Sequence, residues 1–336
     1  MTGQADTATR LADVARLRHS GAISAGDYLE QVQQCRDAPF WHGWAMRALL
    51  VLGAAHFLAG VVFFFAYNWE DLAPFAKFAI LQSAILLSFV AALVLRLERP
   101  AGQAMLIASS VFTGVLFAVV GQVYQTGADA WELFVAWSVL ILPWVFASKS
   151  AAHWLFWIVI CLTAASLYGE QVLVALGHID HLELATAVGV LPALFLAVRE
   201  LALYQGVHWL AGNWFRRSLA ALSLVPLWFV ALQFVFDSDT AIVGFTAFVA
   251  VAATFSFAYL KPLPDFSVLA VVVALVSLLA MAIGGRLIFE ILPFENPGTL
   301  VLGLLCLGGW CVFVMSMVVR IIRFLHRQAA PGAAHA

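Results

Sequence analysis

Polar side chains set into long apolar runs are the residues of this chain best placed to do chemistry. Each costs free energy in an apolar surrounding unless it meets a partner, a ligand or water. Eight form a candidate polar site: His56, Tyr67, Asn68, Gln82, Gln122, Tyr124, Gln125 and Glu132. His56 lies near the midpoint of the first apolar run, where Gly53, His56, Gly60, Phe63 and Tyr67 share one helical face. Small residues on that face admit a neighbouring helix, so His56 is expected to face protein. It serves there either as a hydrogen-bonded packing residue or as a proton relay or ligand contact. The first run ends in Ala66-Tyr67-Asn68-Trp69-Glu70 and the third in Gly121-Gln122-Val123-Tyr124-Gln125. Gly114, Gly121 and Gln125 fall on one stripe of the third run, a sign of close packing. An amide beside a ring offers donors, an acceptor and an apolar wall. With Gln82 and Glu132, these groups either line an outward-facing pocket for a neutral or weakly polar ligand, or brace the first four helices.

Other chemistry is sparsely encoded. His178, Asp180 and His181 have a metal-like spacing, but they fall in a polar connection where such residues are ordinarily just wet. Arg286 and Glu290 stand four apart and can pair on a helix. The four cysteines, Cys35, Cys161, Cys306 and Cys311, have no zinc-type spacing, and Cys306 and Cys311 point to different faces of one helix. HExxH, GxSxG, Walker A and GxGxxG patterns are absent. No catalytic residue, metal or cofactor is therefore expected. The net charge of −2 gives no electrostatic case for nucleic acid.

The elements that must position these residues are membrane helices. Of 336 residues, 64% are hydrophobic and 11% charged, far from the roughly 45–50% and about 25% of soluble domains. A spanning helix needs about 20 apolar residues. Ten candidates follow, near 45–67, 74–95, 103–125, 131–148, 151–169, 181–203, 217–236, 239–260, 266–289 and 298–324. The fold class is thus all-α, a polytopic transmembrane bundle of about ten spans. Pro74 suits the first turn of the second span, and Pro100-Ala-Gly102, Lys261-Pro-Leu-Pro264 and Asn296-Pro-Gly298 punctuate loops. The first 44 residues are too polar for a signal peptide. Within them, Leu11, Val14 and Leu17 form one apolar stripe and Tyr28, Leu29 and Val32 another. Ser20-Gly21-Ala22 breaks the pattern, and Ser24 with Asp27 resembles a capping pair. The expected organisation is an N-terminal cytoplasmic helical hairpin (1–44), a transmembrane domain (45–325) and a disordered cytoplasmic tail (326–336).

With the N-terminus inside, fifteen of the 17 basic residues fall on inner segments and only Lys77 and Arg286 on outer ones. The positive-inside rule therefore places both termini in the cytoplasm. The outer segments are acidic, among them Glu70, Asp71, Asp129, Glu132, Glu170 and Asp180. Such loops either simply stay hydrated or attract cations. The expected location is a bacterial inner membrane, with the lipid bilayer as the main partner.

Three stretches carry a family resemblance: Ala66-Tyr67-Asn68-Trp69, Gly121-Gln122-Val123-Tyr124, and Leu133-Phe134-Val135-Ala136-Trp137 through to Pro143. Together with the Ser20-Gly21-Ala22-Ile23-Ser24 turn, they resemble the bacterial membrane proteins of the DUF2157 domain family, over roughly residues 10–170. The resemblance implies a multi-pass bacterial membrane protein and carries over no activity or catalytic residue. It also implies a membrane-anchored protein partner, since related proteins accompany one named for a GDYxxLxY motif. Gly26-Asp27-Tyr28 only echoes that name, because Leu and Tyr do not follow at the required spacing.

Three function classes remain. The cytoplasmic hairpin and the lack of mid-membrane carboxylates favour a non-enzymatic structural or sensory subunit of an envelope complex. The helix number and the outward polar cluster favour a transporter or small-ligand binding protein. A membrane-embedded enzyme is the third, disfavoured by the missing motifs.

Overall fold

The computed structural model describes residues 13, 14, 17, 18, 22–35, 41–46, 49, 52, 53, 56, 60, 63, 72–125, 127–236, 242–261, 263–292 and 296–328. The chain forms two compact units, Met1–Leu72 with Val319–Ala336, and Ala73–Val318.

In the first unit, residues 13, 14, 17 and 18 are helical, and the next helix is α1 (Ala25–Cys35). Between them the chain turns: Ala22 N–H donates to Leu17 O at 3.0 Å and an Arg18 guanidinium N–H to Ile23 O at 3.2 Å. The Ser24–Asp27 pair caps α1 reciprocally. Asp27 N–H donates to Ser24 Oγ at 3.1 Å, and Ser24 N–H donates to Asp27 Oδ2 at 3.2 Å. A shorter Asp thus does what Glu does in the usual capping box. The expected first span, 45–67, lies largely outside the described residues; those described within it are helical.

The second unit is a run of helices: α2 (Pro74–Val94), α3 (Pro100–Tyr124), α4 (Ala130–Ser148), α5 (Ala151–Tyr168), α6 (His181–Tyr204), α7 (Asn213–Phe236), α8 (Ile242–Leu260), α9 (Phe266–Ile291) and α10 (Pro297–Gln328). The last of these runs past Val318 into the first unit. A π-helical segment, Gly169–Val174, prolongs α5. Among the described residues there are no strands, and nine helices are long and apolar enough to cross a membrane. They match the second to tenth expected spans, so the chain is an all-α polytopic membrane protein. Two boundaries move. Pro100 and Gly102 do not sit in a loop but open α3, because proline's missing N–H is harmless in a first turn. Likewise α7 begins at Asn213, so Arg216 and Arg217 lie in its opening turns. Pro143, Pro192 and Pro226 sit inside helices, which a membrane protein tolerates where neighbouring helices cover the freed carbonyls.

Consecutive helices pack in pairs, α2 on α3, α4 on α5, α6 on α7. The helix α7 is the most enclosed, with α5, α6, α8 and α9 around it. Close approaches are made by small residues. Gly189 of α6 lies against Leu227 of α7, and Ser223 donates to the Gly189 carbonyl at 2.7 Å. Gly244 of α8 lies against Val230 of α7 and Thr186 of α6. Ile141, Val145 and Ile160 form a buried cluster between α4 and α5, flanked by Trp137, Trp144, Trp154 and Trp157.

Candidate functional site

The eight predicted site residues do not gather into one pocket. Tyr67 and Asn68 lie outside the described residues. His56, in the first unit, is exposed, and a Cβ at Gly53 or Gly60 would stand in open space. The expected protein-facing environment is therefore not seen there among the described residues. Its Nδ1 is 2.8 Å from Leu52 O; a carbonyl only accepts, so Nδ1 carries a proton and bonds within its own helix.

The other five lie in the second unit. Gln82 edges a shallow groove of about 280 Å³ with Ile85, Leu86, Phe89 and Trp144. One helical turn before Gln82, Phe78 stacks on Tyr124 of α3 with ring centroids 5.9 Å apart. Gln82 and the Phe78–Tyr124 stack thus lie within about one turn of each other along α2. Gln122 is exposed. Gln125 ends α3 in the left-handed conformation, φ 46° and ψ 50°, a helix-stop geometry more usual for glycine or asparagine. Glu132 is exposed in the first turn of α4, where the helix dipole favours an anion. Gly114 is tightly packed, as its stripe suggested, but a Cβ at Gly121 would meet nothing.

The His178–His181 segment is structural. Asp180 accepts from Glu183 N–H at 2.7 Å while Glu183 accepts from Asp180 N–H at 3.1 Å, a capping box that starts α6. His181 Nδ1 is 3.0 Å from Glu170 Oε2. Among the described residues no three His, Cys, Asp or Glu side chains could hold a metal.

Two interior polar constellations stand out that the sequence reading did not single out. The first joins α3, α4 and α5. His153 is fully buried, with Nε2 2.9 Å from Ser110 Oγ. Ser110 donates its one hydroxyl proton to Leu106 O at 3.1 Å, so the imidazole is the donor and the proton sits on Nε2. Its Nδ1 has no hydrogen-bond partner. The Ser110 carbonyl accepts the Trp137 indole N–H at 2.8 Å. The same device recurs from Trp157 to Ser138 O at 2.9 Å and from Trp310 to Ala280 O at 3.0 Å. In two of the three, a glycine lies one turn beyond the acceptor: Gly114 under Trp137 and Gly284 under Trp310. Without a Cβ there, the indole reaches the main chain.

The second constellation ties α6, α7, α8 and α9 together at one end. Glu200 accepts from Arg199 Nη1 at 2.5 Å, from Arg216 Nε at 2.8 Å and Nη2 at 3.2 Å, and from the Tyr259 hydroxyl at 3.3 Å. Arg216 also stands over the Tyr259 ring at 5.3 Å and reaches Asp265 Oδ2 at 3.5 Å. Asp265 caps α9, its Oδ1 accepting from Ser267 N–H at 3.0 Å and Val268 N–H at 3.3 Å. Arg199, 2% exposed, donates to the Leu210 and Gly212 carbonyls at 2.8 and 3.2 Å. These arginines were expected only as basic residues of the inner segments. The legible signals were the adjacent charges of Arg199-Glu200 at the end of an apolar run and Asp265 just before one, a helix N-cap pattern. Both constellations can hold helices in register; neither presents a nucleophile or an acid–base pair to an open cleft.

In comparison with known proteins, residues 15–154 fit the model of the family described as "Predicted membrane protein (DUF2157)". No curated protein and no solved structure matches the chain. Over residues 15–154, from the N-terminal segment to the opening of α5, this polytopic membrane protein is similar to the DUF2157 family.

Proposed function

We propose that the protein is a non-enzymatic structural or sensory subunit of a membrane complex, with its N-terminal helical segment as the docking element. The observation that carries this reading is the use made of the interior polar groups. Ser110, His153, Trp137, Trp157, Ser223, Arg199, Glu200, Arg216 and Asp265 all bond from one helix to another or to a helix-joining loop. Such cross-ties favour one fixed arrangement, whereas a transporter must let parts of its bundle rock. The hairpin reading adds a partner: α1 presents a small apolar stripe that cannot form a core of its own. The basic asymmetry supports both termini in the cytoplasm, and the resemblance supports a bacterial inner membrane.

The test is extraction of the tagged protein in mild detergent. A stoichiometric membrane-anchored partner that is lost on deleting residues 1–38, while insertion persists, is the expected result. Abolished insertion, or a chain that elutes alone from both preparations, overturns it. A second reading, a ligand-binding protein, rests on the groove that Gln82 edges and the Phe78–Tyr124 stack one turn away on α2. Substrate-dependent uptake into vesicles would favour it.

A further inference from the structure

The ionic constellation is not charge-balanced. Arg199, Arg216 and Arg217 face two carboxylates, Glu200 and Asp265. The first two arginines are nearly buried, but Arg217 is 48% exposed. It touches Asp265 Oδ1 through Nε at 3.4 Å. That oxygen already accepts two backbone N–H groups, and the other carboxylate oxygen faces Arg216. The contact runs through Nε, which leaves the two terminal amino groups of the guanidinium for another anion. The surplus positive charge therefore sits at the outward side of the cluster.

Below Arg217 runs a groove of about 90 Å³ between α7 and α9, lined by Arg217, Ala220, Ala221, Ser267, Val268 and Val271. With about 30 Å³ for a group the size of a water molecule, it holds roughly three methylene-sized groups, a short stretch of one acyl chain. Its polarity is graded. Arg217 and Ser267 lie in the opening turns of the two helices, which both start at this end. Ala220 and Ala221 are about 5–6 Å further along α7, and Val271 is a turn deeper on α9. The alanines create the slot by omitting bulk.

We propose that this groove binds an anionic phospholipid, with its phosphate on Arg217 and the Ser267 hydroxyl and an acyl segment against Ala220, Ala221, Val268 and Val271. A guanidinium forks onto phosphate oxygens in two parallel bonds. The surplus cation selects an anionic head group, and the apolar floor selects a lipid over a soluble phosphate. The proposal is independent of the subunit reading above.

The test is native mass spectrometry of the purified full-length protein. It is presented with phosphatidylglycerol, with phosphatidylcholine of the same chains, or with glycerol phosphate. Phosphatidylglycerol should be retained about tenfold over phosphatidylcholine, the worth of one charge-assisted contact. Arg217→Gln should abolish the preference, Arg217→Lys should keep part of it, and Ala221→Phe should displace the lipid. Arg99→Gln, an exposed basic residue elsewhere, should change nothing. If Arg217→Gln does not survive purification, Ser267→Ala and Ala221→Phe carry the same comparison. Equal retention of the two lipids by the wild type overturns the proposal. So does equal loss in Arg99→Gln, which means bulk charge, and so does glycerol phosphate bound as well as the lipid, which means a soluble-anion site.

Discussion

Glu200 and Arg216, sixteen residues apart on α6 and α7, form a two-pronged pair: Nε meets Oε1 at 2.8 Å and Nη2 meets Oε2 at 3.2 Å. The carboxylate also takes Arg199 and the Tyr259 hydroxyl, so one side chain serves three helices. Removing it leaves Arg199, 2% exposed, with only the Leu210 and Gly212 carbonyls and Arg216 with only the longer contact to Asp265. Glu200→Ala should cost about 3–5 kcal/mol, the penalty of breaking a buried pair from one side. Thermal unfolding in detergent would show it. In a double-mutant cycle, Arg216→Ala should add far less on top of Glu200→Ala than it costs alone. Independent effects would mean that the pair is incidental.

The indole cross-ties depend on glycine. Gly114→Ala pushes a methyl into the Trp137 ring, an overpacking that should cost about 1–3 kcal/mol. Trp137→Phe forfeits the bond to Ser110 O, about 0.6 kcal/mol as for typical polar contacts inside membranes, and adds the cost of the ring volume that it removes beside Gly114 and the buried cluster. Combining Gly114→Ala with Trp137→Ala should cost less than the sum of the two singles, because the clash is gone. Strict additivity, measured by unfolding, would rule out the contact.

Ser110 and His153 make an asymmetric pair. Ser110→Ala leaves a buried imidazole with neither nitrogen bonded, since Nδ1 already lacks a partner. The expected loss is about 1–3 kcal/mol. His153→Phe replaces the whole polar ring with an apolar one and should be the milder change, although it alters more atoms. The opposite ranking in denaturation would mean that the histidine is needed in its own right.

Gln82 and Gln122 are exposed. Their alanine variants should stay within about 0.5 kcal/mol of wild-type stability. A brace role predicts a clear drop in melting temperature instead. A ligand role predicts an unchanged melting temperature with loss of the phenotype in complementation.

Orientation is tested by alkaline phosphatase fusions. Activity is expected after Asp129 and Gly177, and silence after Arg99, Gly206 and Lys261. Reversal at any two of these sites would invert the topology.

Much of this architecture is written along the chain. Apolar runs long enough to cross hydrocarbon locate each of the nine helices to within a few residues, because the constraint is local: a buried main chain must bond to itself. The Ser24–Asp27 cap and the Pro74 start are legible for the same reason, being settled within one turn. Gly114 was readable as a close-packing position, although nothing in its stripe named Trp137 as the partner.

What the sequence could not determine is which polar groups meet. Ser110 and His153 are 43 residues apart, and Arg216 and Asp265 are 49. A one-dimensional reading used the arginines only as inner-side charge and the outward amides as a site. Tertiary structure reversed the emphasis. It buried Arg199 and Arg216 among Glu200, Asp265 and loop carbonyls and left Gln82, Gln122 and Glu132 on the surface. The physical reason is that hydropathy locates a helix in the membrane but says little about its rotation. In a helix apolar on every side, the face turned inward is chosen by small residues, cross-helix bonds and charge pairing, and those exist only once the helices have docked.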